Sequence, residues 1–197
     1  MTSQLTAKGQ ATRRRIIDGA AAEIRESGVG VTTLDDIRAR TRTSKGQLFH
    51  YFPDGKEELL LAVAEHEAAR VLDDQQPHLG RLITWRAWRA WRDAVVERYR
   101  QQGASCPLSV LMTELGRSTP AARAVTTELI RQWERDIVGG IRSMQRSGRV
   151  STAVDARRAG RALLAGIQGG VSIMLATGDL SHLEDALDAG IAALRRR

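Results

Sequence analysis

The chain lacks most of what marks other protein classes. It has a single cysteine, Cys106, so no intrachain disulfide can form and a stapled secreted scaffold is excluded. Its four histidines, His50, His66, His78 and His182, are scattered without metal-type spacing, and none neighbours Cys106 in sequence. Neither a metal centre nor a thiol nucleophile is expected. Strand-like alternation never lasts more than a few residues, and no hairpin turn is flanked by such runs. A glycine-rich phosphate loop is therefore excluded, because such loops follow a strand. The longest charge-free run, 162–178, is broken by Gln168, Ser172, Thr177 and several glycines. It falls short of the roughly 20 apolar residues that cross a bilayer. The opening residues Met1–Gln10 are polar and do not resemble a secretory leader. The expectation is a cytoplasmic protein that is not an enzyme and has no cofactor, metal or membrane partner.

What remains is rich in Ala, Leu, Arg and Glu, with a net charge of +7. The first 15 residues hold Lys8, Arg13, Arg14 and Arg15 and no acid, and read as a basic arm suited to phosphate. Apolar residues recur at helical spacing throughout. Ile16, Ile17, Ala20, Ala21 and Ile24 predict a first helix from about Thr12 to Ser27, stopped by Gly28 and Gly30. A short second helix runs from Leu34 to about Arg40, capped by Thr33 with Asp36 as reciprocal partner. A short third starts behind Ser44, with Gln47 in the same pattern, and ends before Pro53. Asp54 caps a fourth, from Lys56 to about Asp73. Five more follow at about 81–102, 107–117, 120–147, 153–177 and 181–195, punctuated by Gly103, Pro107, Pro120, Gly148 and Gly178. The fold class is all-α with about nine helices. A small N-terminal bundle of three short helices (1–55) precedes a larger C-terminal helical domain (56–197).

Two short helices a few residues apart, the second tightly capped, are the pattern of a helix-turn-helix. A major groove about 12 Å wide admits one helix, and the residues near that helix's N-terminus reach the base edges. Here those are Ser44, Lys45, Gly46 and Gln47, with His50 and Tyr51 one turn later. Gln47 can pair with an adenine edge, and Lys45 can reach guanine or a phosphate. Thr33, His50 and Tyr51 suit neutral bonds to phosphate oxygens. Lys56, at the start of helix four, would join that helix's positive end against a phosphate. Gly46 permits close approach. Arg38, Arg40 and Arg42 form a cationic rim. Leu48 or Phe49 must turn inward to hold the third helix, and Phe49 and Phe52 read as core.

The run Val31–Leu61, VTTLDDIRARTRTSKGQLFHYFPDGKEELLL, resembles the DNA-binding domain of TetR-family repressors. The resemblance lies in Thr32-Thr33-Leu34, Ile37, Ser44-Lys45-Gly46, Leu48–Phe52 and Lys56–Leu59, about 50 residues from helix one to helix four. It implies a homodimer whose reading helices meet successive major grooves of a palindromic operator. Two positions depart from the family pattern: Arg42 stands for the usual turn glycine and Thr43 for the following valine. A left-handed Arg42 would cost about 1–2 kcal/mol, so either the turn is differently shaped or Arg42 bears the strain while its side chain reaches DNA.

Gly103–Leu115 (GASCPLSVLMTEL), Trp133-Glu134 and the YFPDGK loop resemble the lincomycin-resistance-repressor (LmrA/YxaF-like) subgroup. That resemblance implies a small-molecule effector. Trp85, Trp88, Met112, Trp133, Gln168 and Met174 are the candidate ligand-binding residues. Aromatics and methionines make an adaptable apolar wall, although each also fits a role as core filler. Planar, cationic or antibiotic-like compounds would suit such a wall, with Glu134 as a partner for a cation. The last two helices are the expected dimer interface, through Ala165, Gly166, Gly169 and Gly170 and the stripe Leu183, Leu187, Ile191 and Leu194. The first bundle is thus expected to be a three-helix helix-turn-helix DNA-binding domain (1–55), and the second a helical effector-binding and dimerisation domain (56–197). A repressor released from DNA by its effector is the reading these features support. A helical ligand-sensing or protein-binding scaffold, and a charge-driven DNA coater, are the alternatives.

Overall fold

The structure, a computed structural model, describes residues 5–103 and 109–195. Cys106 and residues 104–108 of the stretch likened to the lincomycin-type repressors lie outside these. Nine helices and no strands occur among the described residues: α1 Ala7–Ser27, α2 Leu34–Thr41, α3 Lys45–Tyr51, α4 Lys56–Asp73, α5 Trp85–Gln102, α6 (a π-helical Val110–Leu115 continued by Gly116–Ser118), α7 Pro120–Arg146, α8 Ala156–Thr177 and α9 Ser181–Ala193.

The expected helix order holds, and the differences are at the ends. α1 begins five residues early because Thr6 caps it, its hydroxyl accepting the Gly9 N–H at 3.2 Å. Lys8 and Arg13–Arg15 are therefore on the helix and do not form an arm ahead of it. At the start of α4 the Glu58 carboxylate accepts the Asp54 N–H at 3.0 Å. α5 waits for Thr84, which accepts the Ala87 N–H at 3.1 Å, while Leu79–Arg81 makes a single 3-10 turn before it. Thr119 caps α7 through Ala122, and Asp155 caps α8 through the N–H groups of Arg157 and Arg158.

The chain forms two compact units, 1–70 with 107–127, and 71–106 with 128–197. They do not follow a single cut after residue 55: α6 and the start of α7 belong with the helix-turn-helix. In the first unit Ile16, Ile24, Ile37, Leu48, Phe52, Leu59 and Val63 are fully buried. α1 and α2 cross so closely at Gly19 that an added Cβ would lie 2.2 Å from Thr41 Cγ2. In the second unit Trp88, Trp91, Trp133, Ile137 and Ile167 are fully buried. α7 crosses Leu82 at Gly140, and α8 meets α9 at Gly170. α8 is long and apolar enough to cross a membrane by length and composition alone, and one of its faces is packed against α9 within the chain.

Candidate nucleic-acid interface and effector site

Local capping fixes the reading helix. In α3 the Ser44 hydroxyl accepts the Gln47 N–H and the Gln47 side-chain oxygen accepts the Ser44 N–H, both at 3.1 Å. α2 has the same reciprocal box, Thr33 with Asp36. The Thr33 hydroxyl and backbone N–H hold the Asp36 carboxyl below the usual carboxylate range. Each box satisfies two otherwise orphaned donors and is worth about 1 kcal/mol. Leu48 is fully buried and anchors α3, whereas Ser44, Lys45, Gly46, Gln47 and His50 are exposed together. Nothing lies within 4 Å of a Cβ placed on Gly46, so this face is open to close approach.

Of the two outcomes open for the turn between α2 and α3, a different shape or a strained Arg42, the structure has the second. Arg42 sits at φ 50°, ψ 45°, the one non-glycine with positive φ among the described residues. The Thr43 N–H, bonded to the Arg38 carbonyl at 3.1 Å, closes the turn, and Thr41 and Thr43 are buried hydroxyl to hydroxyl at 2.8 Å beneath it. The strain, about 1–2 kcal/mol, is held in place by this buried pair, and it leaves Arg42 exposed beside the reading face.

Other members of the expected rim are committed elsewhere. Arg40 bonds Glu23 at 2.7 Å and also Glu26, both on α1, and these carboxylates push its pKa above the ordinary value. Arg38 bonds Asp35 at 2.5 Å. The half-buried Lys56 donates to the Val29 carbonyl at 3.1 Å. Tyr51 is half-buried, with its hydroxyl 3.5 Å from the Cβ position of Gly9 on α1, and its ring lies edge-on to His50 at 4.8 Å. Phe49 is 39 % exposed, against the expectation of a core residue, because Leu48 already fills the inward position. Phe52 is core as expected, with the Arg13 guanidinium 5.2 Å from its ring centre.

Two acids that sequence reasoning passed over tie this unit together. The Glu114 carboxylate on α6 accepts the Val29 N–H at 3.0 Å. Val29 is thus held from both sides, by α6 at its N–H and by α4 Lys56 at its carbonyl. Glu67 on α4 is fully buried between Arg25 at 3.4 Å and Arg70 at 3.1 Å. Its signal was present in the sequence, an acid in register with the apolar Leu60, Val63, Ala64 and Val71 of one helix.

The expected ligand residues fall into four environments. Trp88 and Trp91 pack edge-to-face at 5.7 Å, and each indole N–H has an internal acceptor: the Leu82 carbonyl and the Gln75 side chain, each at 3.1 Å. Trp85 is turned away from that pair, with Arg195 stacked 4.6 Å from its ring centre. Met112 belongs to the first unit and is 41 % exposed. Trp133 and Met174 are buried in the second unit, and Gln168 is half-buried there. The Trp133 indole N–H and the Gln168 amide nitrogen are buried without a hydrogen-bond partner. Leaving such a donor unpaired costs about 1–3 kcal/mol. Glu134 is not a buried acid awaiting a cation: it pairs with Arg161 at 3.7 Å in a groove of about 310 Å³ that Arg131, Arg135, Arg142 and Arg157 also line. On α9 the apolar stripe Leu183, Leu187, Ile191 and Leu194 is buried inside the chain and is unavailable as an interface. The α8 glycines divide likewise: Gly166 and Gly170 face α9, while Gly169 has nothing within 4 Å.

Comparison with known proteins agrees with this arrangement. The family model for bacterial regulatory proteins of the tetR family matches residues 16–63, and that for the tetracyclin repressor-like C-terminal domain matches residues 81–189. An uncharacterised HTH-type transcriptional regulator of Mycobacterium tuberculosis is 28 % identical over 54 % of this chain and 55 % of its own length. The chain therefore spans about half the length of that relative. The uncharacterised HTH-type transcriptional regulator YxaF of Bacillus subtilis is 23 % identical over 91 % of this chain and 92 % of its own length, consistent with the subgroup resemblance. A TetR transcriptional regulator from Chloroflexus aurantiacus superposes with a TM-score of 0.83, 25 % identity and 98 % coverage of both chains. SmeT, solved in complex with triclosan, has a TM-score of 0.75 and 23 % identity over 93 % of this chain and 91 % of its own. These relatives are regulators, not enzymes. With both halves matched, the chain belongs to the tetR family of bacterial regulatory proteins.

Proposed function

We propose that this chain is a cytoplasmic transcriptional repressor that binds a palindromic operator as a homodimer and releases it when a small molecule occupies the second unit. The observation that carries the reading is α3 itself: a capped helix anchored by Leu48, with Arg42, Ser44, Lys45, Gly46, Gln47 and His50 exposed on one side. Lys45 and Arg42 supply charge for guanine or phosphate. Gln47 already gives its oxygen to the Ser44 N–H, which leaves its NH₂ group to donate to an acceptor such as a purine N7. Thr33 and Tyr51 complete the backbone contacts, and Lys56 holds the Val29 loop in position for them.

The outer face of α8, with Ala162, Ala165, Gly169 and Ser172 exposed and Ile173 37 % exposed, is the surface on which a second copy would pack. A twofold dimer matches the symmetry of a palindromic operator, whose half-sites lie about 34–36 Å apart, or a multiple of it. Trp88, Trp133, Gln168 and Met174 are the proposed effector residues, supported by the unpaired donors among them and by the triclosan complex of a protein with the same fold. An effector changes DNA affinity only through unequal affinity for two arrangements, so effector and DNA weaken each other by one common factor. The test is a pair of titrations at fixed salt, DNA with and without effector and effector with and without DNA; unequal factors refute the coupling. A second reading, charge-driven coating of DNA, draws on the arginine groove of α7 and α8. A salt series separates the two, because phosphate-only binding falls alike on operator and scrambled duplexes.

A further inference from the structure

The groove between α7 and α8, wholly within the second unit, gathers charge of one sign. Arg131, Arg135 and Arg142 line it from α7 and Arg157 and Arg161 from α8, all five of them exposed. The helices touch beneath it, where the Cβ position of Gly160 is 2.8 Å from Val138 Cγ2. Glu134 is the one acid in the lining, and it answers Arg161 at 3.7 Å. Glu128, outside the groove, bonds Arg135 at 2.7 Å and lies 3.9 Å from Arg131. Asp155 caps α8 by accepting the backbone N–H groups of Arg157 and Arg158. Arg142 and Arg157 form no ion pair among the described residues. Like charges along a concave wall reinforce one another's field, so such a groove concentrates anions.

Shape selects among anions. The groove holds about 310 Å³, and Arg131 to Arg142 cover about 16 Å of α7. Packed helices lie about 8–10 Å apart, so the groove between them admits a single chain. A DNA duplex, whose major groove alone is about 12 Å wide, is too broad to enter. Gly139, in the lining, has nothing within 4 Å of its Cβ position, which leaves room for close approach to α7. A guanidinium fork takes two oxygens of one phosphate. Arginines about one turn, ~6 Å, apart therefore call for several anionic groups in a row on one ligand. We infer that the groove binds a short oligophosphate, free or as the tail of a nucleotide, with Arg142 and Arg157 as its principal contacts. The site is separate from the proposed effector residues and holds whether or not the chain is a repressor.

The test is calorimetric titration of the full-length protein with tripolyphosphate, ATP, orthophosphate and citrate, at fixed ionic strength and without divalent metal. Tripolyphosphate is expected to bind roughly tenfold more tightly than orthophosphate or citrate. ATP binding as tightly as tripolyphosphate means that the phosphates alone are read; tighter binding points to a nucleotide, and weaker binding to a free oligophosphate. Arg142→Gln and Arg157→Gln should each lower tripolyphosphate affinity about tenfold, the loss of one charge-assisted bond. Arg86→Gln, which removes the same charge from α5, should leave it unchanged. Without ligand, Arg142→Gln should melt at or above wild type, because it relieves repulsion and breaks no ion pair. A lower midpoint would mean that Arg142 is held internally, and overturns the inference. So does tripolyphosphate binding no tighter than orthophosphate or citrate, affinity unchanged in both groove variants, or an equal loss in Arg86→Gln. A matching loss of affinity for scrambled duplex in the groove variants would make the groove a DNA surface. A lower sedimentation coefficient with tripolyphosphate would make it the seat of a second copy's acids. Either result also overturns the inference.

Discussion

Gly170 and Gly169, adjacent on α8, should respond in opposite ways to added bulk. A Cβ on Gly170 would sit 2.5 Å from Leu183 Cα, 2.8 Å from Leu183 N and 3.0 Å from the His182 carbonyl oxygen. Carbon atoms pack at about 3.5–4.0 Å, so the first turn of α9 would have to retreat by about 1 Å. All three obstacles are backbone, so no rotamer change relieves them. Overpacking of this kind costs about 1–3 kcal/mol, offset by the roughly 1 kcal/mol that Ala gains over Gly in a helix. Gly170→Ala should therefore lose up to about 2 kcal/mol. At about 2–4 °C per kcal/mol for a chain of this size, its midpoint falls by up to roughly 4–8 °C. A Cβ on Gly169 meets nothing within 4 Å, so Gly169→Glu should fold normally but place charge in the proposed dimer face. Scanning calorimetry at fixed protomer concentration and sedimentation velocity read the two effects separately. A Gly170→Ala variant melting at or above wild type would refute the packing argument; a Gly169→Glu variant that remains dimeric would refute the interface.

Other predictions concern the head and its supports. Arg42→Gly should relieve the left-handed strain, less the entropy glycine adds to the unfolded chain, for a net gain of up to about 1 kcal/mol. If Arg42 touches a phosphate, the same change lowers the slope of log K against log salt by about 1; a lower melting midpoint would show that the conformation is not strained. Glu67→Ala strands Arg25 and Arg70 around an empty site and should cost about 3–5 kcal/mol, read by urea unfolding; a loss below 1 kcal/mol would deny the buried network. The Asp36 and Asp155 carboxyls are held below their ordinary value of 3.8 by hydrogen bonds, from the Thr33 hydroxyl and from the Arg158 N–H respectively. Their stabilisation is present above that value and is lost as pH falls through the depressed folded values. The melting midpoint should drop as pH falls below about 4, and Asp36→Asn should flatten the drop; an unchanged slope contradicts the assignment.

What the sequence revealed was local. The two capping boxes, Thr33–Asp36 and Ser44–Gln47, join residues three apart, so α2 and α3 could be bounded and the exposed face Ser44–Gln47 named without tertiary information. Arg42 at the turn followed from a missing glycine in the same way. Long-range partners were not legible. Arg40 looked like a rim cation until α1 brought Glu23 and Glu26 against it, and Lys56 looked free until the Val29 carbonyl took its ammonium. The α9 stripe Leu183–Leu194 read as an interface because periodicity shows that a face is covered but not by which chain. Trp85, Trp88 and Trp91 showed the opposite limit: their spacing said that they could not share one face, but not that Trp85 would stack on Arg195.

The most direct test of the central claim is selection of bound duplexes from a random pool by the wild-type protein and by Gln47→Ala. The account predicts that wild type enriches a palindrome with two half-sites about one helical turn apart, or a multiple of it, and that Gln47→Ala relaxes one or two positions in each half-site. No enriched motif with wild type, or an identical motif with both proteins, would contradict it.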